Sequence, residues 1–440
     1  MKKILIISYS FPPLNLISSR RAEAYAKYFA RFGYQPTVIS ELREPVEGAK
    51  PNTWKWHPKN TPVKKEQFET FTAYFIPRVN TFQQRAINFL LSIPAIKILT
   101  RMVLVSTGHP HGIYYHCYQR FGKFLRQHLR EHEYDCILAS YKPDFPLKLA
   151  HEMRKEFGTP FVGDYRDFWD NRIANPAQNF TLKERFINSR ALKLHKQWIR
   201  SSLFFVMVTR GWCRKLLELT GSDKGYTITN GFEQEVFENN TTEVSKEFFF
   251  ITYTGNVYLE NDFGYFYKAF RNLISSLNDQ ERQKIKVRFF THPSYDLHEQ
   301  RTSIGEEFVE TPGWIPKEEV VNRLKESAIL FTLGFTNQPG TIPGKVFEYL
   351  GARRNVLVTP SDDDEVHSII RETGCGLSSS DVDEVTRFLK EKFKEWKEGG
   401  QPKYNGDAFR INQYSRENQV KEVARLLDEH LNEPKATNDS

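Results

Sequence analysis

The segment KILIISYS, residues 3–10, is apolar at consecutive positions rather than at alternate ones. A strand with water on one face alternates and a strand covered on both faces does not, so this run predicts a parallel-sheet strand sandwiched between helices. Helical periodicity follows from Arg21 to Phe32, and Gly33 predicts its C-cap. QPTVIS (35–40) then completes a βαβ unit. The alternation continues with YDCILAS (134–140), a helix over Phe145–Phe157, PFVGDYRD (160–167), a basic helix around 182–200, SLFFVMVT (202–209), a helix over 210–221 and GYTITNGF (225–232). This is the pattern of a doubly wound parallel sheet.

The pattern restarts after a charged linker near 240–247. EFFFITYTGNV (247–257), KIKVRFFTH (284–292), SAILFTLG (327–334) and NVLVTP (355–360) read as strands, separated by helices over about 263–276, 317–326, from 343 and over DEVHSIIRETG (364–374). A last helix runs from about Arg416 to Leu431. Two domains of roughly 200 residues suit 440 residues better than one core. The division expected is a domain over 1–240 with a basic insertion at about 71–130, a second over 247–415, a helix over 416–433 packing back toward the first, and a disordered tail over 434–440.

Composition narrows the function classes. The four cysteines form no CxxC pair and match no zinc-ligand spacing, which points away from a disulfide framework and toward a reducing cytoplasm. The start MKKILIISYSF has too short an apolar run for a signal peptide. Neither first strand–helix turn carries GxGxxG or GxxxxGK[ST], which disfavours a classical dehydrogenase or P-loop ATPase. His109, His111 and His116 fall in GHPHGIYYHC, but their spacing fits no standard ligand set, so they are expected at the surface or in loops and no metal is expected.

The net charge of +8 is uneven. Residues 1–240 hold 36 Lys+Arg and 21 Asp+Glu, or +15; the remaining 26 and 33 give −7. From Phe71 to Arg130 there is no acidic residue and there are eight cations, around the apolar stretch RAINFLLSIPAIKILTRMVLV. Pro94, Lys97 and Arg101 break that stretch below the length of a membrane span, so it reads as an interfacial anchor for an anionic membrane surface. The plainer alternative is a helix pair of an enlarged first domain with its cations outward. Nucleic acid is a weaker match, because no helix-turn-helix, RRM or KH pattern accompanies the charge.

IPGKVFEYLG (342–351) carries the most specific chemistry. A helix N-terminus offers unpaired N–H groups and a partial positive charge, which suit a diphosphate. Gly344 admits a phosphate to the backbone, Pro343 suits a first helical turn, Lys345 adds a full charge, and Glu348 lies one turn on, able to accept from a ribose diol. The competing reading is an exposed Lys345–Glu348 pair.

With ILIISYSFPPLNLISSRRAEAYAKYFARFGYQPTVIS, FVGDYRDFW, YTITNGFEQEVF and YTGNVY, this block resembles glycosyltransferase family 4 enzymes over nearly the whole chain. The resemblance implies the α/β GT-B fold, two Rossmann-like domains with parallel sheets facing each other across a cleft. It implies transfer of a sugar from a nucleoside-diphosphate-sugar, with retention and without a metal, to a glycan or lipid-linked acceptor in cell-surface polysaccharide synthesis, at the inner face of the cytoplasmic membrane. Carried over residue by residue, it implies donor contacts from Gly344, Lys345, Glu348, Gly255, Thr341 and Asn230. Asp167 would act as base or substrate orienter and Arg166 as a phosphate or sugar ligand, where the alternative is a structural ion pair. Ser18, Ser19 and Arg20 would form an acceptor or phosphate loop after the first strand, with Arg20 and Arg21 opening the helix.

Two departures stand out. The motif's first glutamate falls at Gly340, and the loop after the second domain's first strand has Asn256 and Asp262 in place of the usual cations. Asn230-Gly231 reads as a turn. The departures leave two further readings open: a non-catalytic glycan-binding or scaffold protein on this fold, and a nucleotide-sugar epimerase.

Overall fold

The computed structural model describes residues 1–48, 53–109, 114–174, 179–257, 262–292, 294–313 and 315–432. His111 and the 434–440 tail lie outside the described residues. The chain divides into two compact units, Met1–Thr229 with the residues from Gln419 on, and Asn230–Asn418.

The first unit holds an eight-stranded sheet of β1 (Lys2–Ser8), β2 (Tyr34–Leu42), β3 (Lys64–Gln67), β4 (Thr72–Pro77), β5 (Cys136–Ser140), β6 (Phe161–Tyr165), β7 (Phe205–Met207) and β8 (Gly225–Thr227), in the order β3-β4-β2-β1-β5-β6-β7-β8. Every neighbouring pair is parallel except β3 with β4. The consecutive apolar residues of β1 serve two cores. Ile4 and Ile6 join Tyr25, Phe29 and Val38 on one face, and Leu5 and Ile7 join Ile39, Phe121, Ile137 and Phe205 on the other. All of these are buried, and each such side chain stabilises by about 1.5–3 kcal/mol relative to exposure.

Three helices of this unit matter below: α1 (Ile17–Tyr28), α2 (Phe82–Ser92) and α3 (Pro94–Ser106). Helix α1 starts four residues before the position read from periodicity, and a 3₁₀ turn over Phe29–Phe32 carries it to Gly33, a left-handed cap at φ 84°. The last helix, Arg416–Asn432, supplies Val420, Val423 and Leu427 to the core beside Ile4, and its Asp428 accepts from Lys2 Nζ at 2.6 Å and Tyr34 Oη at 2.8 Å.

The second unit has an all-parallel sheet of β9 (Phe249–Thr254), β10 (Ile285–Phe290), β11 (Val309–Glu310), β12 (Ile329–Thr332), β13 (Asn355–Val358) and β14 (Gly376–Ser378), in the order β11-β10-β9-β12-β13-β14. Residues 230–240, read with the first domain, belong here. Phe232 and Phe237 pack with Val346, Leu350 and Val358 in one of the unit's two cores.

Candidate functional site

In the second unit, β9 ends at Thr254 and delivers Gly255 to the carboxyl end of the sheet, where open α/β sheets place their ligand sites. Gly255 has φ 99°, a region closed to most side chains, and a Cβ there would lie 3.3 Å from Lys345 Cε and Nζ. The glycine therefore makes room for Lys345. The helix Gly344–Ala352 begins at Gly344, with Pro343 as its N-cap residue rather than inside the first turn. Tyr349 ties it to the sheet: its hydroxyl accepts from the Thr254 N–H at 3.0 Å and donates to the Phe331 carbonyl at 3.2 Å.

Lys345 is the unusual group. Its Nζ lies 3.7 Å from the centroid of the Tyr253 ring and has neither a hydrogen bond nor an ion pair among the described residues. Burial pushes its pKa down to about 7, opposed in part by the charge of Glu348. The two face one another electrostatically without closing the surface pair that sequence alone allowed. Both are half-buried. A half-buried cation with no hydrogen bond or ion pair among the described residues, beside a helix N-terminus, suits negative charge.

The remaining donor candidates divide. Thr341 is half-buried and its N–H donates to the Gln338 carbonyl at 3.2 Å. Gly340 has φ 78°, and its N–H donates to Asp364 Oδ2 at 2.6 Å. That backbone explains the departure from the motif, since a glutamate at this φ costs about 1 kcal/mol or more. Asp262 accepts from the Gly264 N–H at 2.9 Å, at the start of the helix Gly264–Ser275, which is a local turn role. Asn230-Gly231 is not a turn. Gly231 is needed because a Cβ there would meet the Tyr414 carbonyl oxygen at 2.5 Å, and Asn230 keeps a buried Oδ1 without a hydrogen-bond partner among the described residues.

In the first unit, β6 ends at Tyr165 and presents Arg166 and Asp167 beyond the sheet edge, both half-buried. No ion pair joins them. Arg166 donates Nη2 to the Lys142 carbonyl at 3.0 Å, and its buried Nε has no partner among the described residues. Burial lowers the pKa of Arg166 and raises that of Asp167, the latter against the opposing charges of Arg166 and Lys142. A carboxyl held toward its neutral form is better suited to accept a proton near neutral pH.

The expected loop at Ser18, Ser19 and Arg20 is a helix. All three lie in the first turn of α1, with Ser18 and Ser19 buried and the Ser19 Oγ unpartnered among the described residues, so the loop ends before Ile17. Arg20 donates to Asn15 Oδ1 at 2.9 Å. Arg21 has an anionic partner within the unit: its Nε donates to Asp164 Oδ1 at 2.9 Å, and its Nη1 to the Thr229 carbonyl at 2.6 Å. Tyr25 and Ser140 also donate to Asp164, both at 3.2 Å. These bonds tie the end of β6, two residues before Arg166, to α1 and β5. The only sequence signal of Asp164 is an acid inside an apolar strand.

His116 corrects another expectation. It is buried in a helix, 3.5 Å from Glu41 Oε1, with Cys117 Sγ donating to that same oxygen at 3.3 Å. These three could group around an ion. Glu41 is already paired with Arg43 at 3.1 Å and approached by Arg78, and burial holds Cys117 as a thiol. A cation there would meet two guanidinium groups, so the donor set does not fit one.

No protein-family model matches the chain, and no curated protein matches it. Solved structures do. A sucrose-phosphate synthase from Thermosynechococcus elongatus aligns over 98% of this chain and 96% of its own, with 11% identity and a TM-score of 0.52. A structure described as trehalose-6-phosphate from E. coli bound with UDP-2-fluoro glucose aligns over 98% and 97%, at 11% identity and a TM-score of 0.54. A UDP-forming alpha,alpha-trehalose-phosphate synthase from Burkholderia xenovorans, in complex with glucose-6-phosphate, aligns over 97% and 100%, at 10% identity and a TM-score of 0.58. At such identities the likeness is one of fold: the chain has the two parallel-sheet α/β units of GT-B glycosyltransferase structures.

Proposed function

We propose that the protein is a GT-B glycosyltransferase, similar to family 4, that moves a sugar from a nucleoside-diphosphate-sugar to a hydroxyl of a glycan or lipid-linked acceptor in cell-surface polysaccharide synthesis. The observation that carries this is Lys345, an unpaired half-buried cation packed against Gly255 at the start of a helix. In this reading the diphosphate lies between the N–H groups at Gly344 and the Lys345 ammonium, with Gly255, Thr341 and Asn230 around it. Glu348 accepts from the ribose. As the sugar–phosphate bond breaks, the charge growing on the leaving diphosphate is met by groups already in place, which lowers the barrier without a metal. Asp167 accepts the proton of, or orients, the incoming hydroxyl, and Arg166 binds the acceptor or donor phosphate. Retention belongs to the reading by resemblance. A peripheral seat at the inner face of the cytoplasmic membrane also belongs to it, on the strength of the acid-free segment from Phe71 to Arg130.

Two of the similar structures are complexes with UDP-2-fluoro glucose and with glucose-6-phosphate, which supports nucleotide-sugars as the first ligands to try. Calorimetric titration with UDP-, GDP-, CMP- and dTDP-sugars, on wild type and Glu348→Ala, tests the reading. One nucleotide preferred, with the preference lost in the variant, is the expected result. A folded protein that binds none of them overturns it in favour of a non-catalytic scaffold. Donor conversion without any acceptor would point to an epimerase instead.

A further inference from the structure

Helices α2 and α3 give almost nothing to the core. One residue of each is buried, Gln84 in α2 and Val105 in α3. Instead Phe82, Phe89, Leu90, Ile98, Leu99 and Val103 face solvent, with Phe82 at 77% and Phe89 at 65% exposure. A surface helix of a globular protein turns its apolar stripe inward, whereas this pair turns it out. Six large apolar side chains on two helices in contact form a patch rather than the scatter that any surface carries. Arg85, Lys97 and Arg101 are exposed among them, and no acidic residue occurs from Phe71 to Arg130.

The charge decides what covers the patch. A second copy of the chain would set the same cations against themselves, a repulsive arrangement at a self-complementary interface. An anionic lipid surface offers apolar depth and opposite charge together. Crossing the bilayer is a different matter. Helices of 11 and 13 residues reach only about 17 and 20 Å against roughly 30 Å of hydrocarbon. Among the described residues no helix is long and apolar enough to cross a membrane. Pro94 at the start of α3 divides the apolar stretch into two short helices, each able to lie in the plane of the interface.

We infer that α2 and α3 together form an in-plane seat in the headgroup region of an anionic bilayer, and that the acceptor of the proposed transfer is presented from that surface. The second half rests on the transferase reading. Arg101 of α3 lines one cleft with Glu184, Ile187 and Trp169, and Trp169 lies two residues beyond Asp167. Leu182, at 83% exposure, opens the helix that holds Glu184 and Ile187 and adds an apolar residue near that cleft. The seat and the loop carrying Asp167 are thus neighbours within one unit.

The full chain is tested by co-sedimentation with phosphatidylcholine vesicles, with and without phosphatidylglycerol. All four native cysteines are buried, so a Phe89→Cys variant takes an environment-sensitive dye selectively, and Lys394→Cys, at an exposed position of the second unit, is the control. The protein should sediment with the anionic vesicles, with a blue shift for dye at 89 and none at 394. The combined Phe82→Asn, Phe89→Asn, Leu99→Asn and Val103→Asn variant, whose targets are already exposed, should lower partitioning by about tenfold or more. Arg85→Gln, Lys97→Gln and Arg101→Gln together should remove the preference for anionic lipid. Wild type left in the supernatant overturns the inference, as does sedimentation without the shift at 89. A concentration-dependent dimer abolished by the asparagine variant, with no vesicle binding, also overturns it. None of these readouts uses a sugar donor, so failure here leaves the donor site untouched.

Discussion

Raising the pH should weaken donor binding, and Lys345 sets by how much. In the free protein its pKa is about 7, because burial disfavours the ammonium. A diphosphate within contact distance would restore the charged form, moving the pKa to at least its ordinary value near 10.4. Binding then takes up a proton wherever the free lysine is neutral. Half the free protein is charged at pH 7 and about 1% at pH 9, so the dissociation constant should rise roughly fiftyfold across that interval, about 1.4 kcal/mol per pH unit at its steepest. The ligand must be the intact nucleotide-sugar. Esterification blocks its terminal phosphate, whereas a free terminal phosphate titrates near pH 6 and would confuse the measurement. Calorimetry in buffers of different ionisation enthalpy reads the uptake directly: about half a proton at pH 7 and close to one at pH 9. Lys345→Gln should bind weakly and without uptake, while Lys345→Arg should bind without the pH dependence. An affinity flat from pH 6 to pH 9 in wild type, or a slope that persists in Lys345→Gln, would refute the reasoning.

Three substitutions test the framework around that lysine. Gly255→Ala introduces a side chain at φ 99° and 3.3 Å from Lys345 Nζ; it should destabilise by about 1–2 kcal/mol in chemical denaturation and weaken donor binding at least tenfold. Gly340→Glu, which supplies the glutamate that the pattern of family 4 enzymes has at this position, should lower stability by about 1–2 kcal/mol without raising donor affinity, because its φ of 78° suits glycine. Arg21→Met leaves Asp164 buried without its cation and should cost about 3–5 kcal/mol, whereas adding Asp164→Leu should recover part of that loss. A double variant no better than the single one would show that the pair is not the coupled unit described.

Much of the fold was legible because a buried parallel strand leaves a local mark. KILIISYS, YDCILAS and EFFFITYTGNV each carry their apolar side chains in sequence, and each forms a strand of a parallel sheet. β3 left no such mark. Its residues KKEQ are polar and mostly exposed, and the segment is a strand only because it pairs antiparallel with the edge of β4. The loop at Ser18 was misread for a related reason: two buried serines without apolar periodicity look like loop until the start of α1 packs them inward.

The candidate site divides along the same line. Gly344, Lys345 and Glu348 lie within one turn and a half of helix, so their spacing announced them. Arg21 and Asp164 are separated by 143 residues, as are Glu41 and His116 by 75, and no local pattern marks such pairs. Gly340 was visible as a departure, but its cause is a backbone angle and a hydrogen bond to Asp364, which only the folded chain supplies.

The central claim is that a diphosphate occupies the space beside Lys345. Phosphorus-31 NMR of the preferred nucleotide-sugar, titrated with wild type and with Lys345→Gln, observes that group directly. Both diphosphate resonances should shift and broaden with wild type and stay close to their free positions with the variant. Phosphorus signals unmoved by wild type, while the base and ribose protons respond, would place the diphosphate elsewhere and contradict the account.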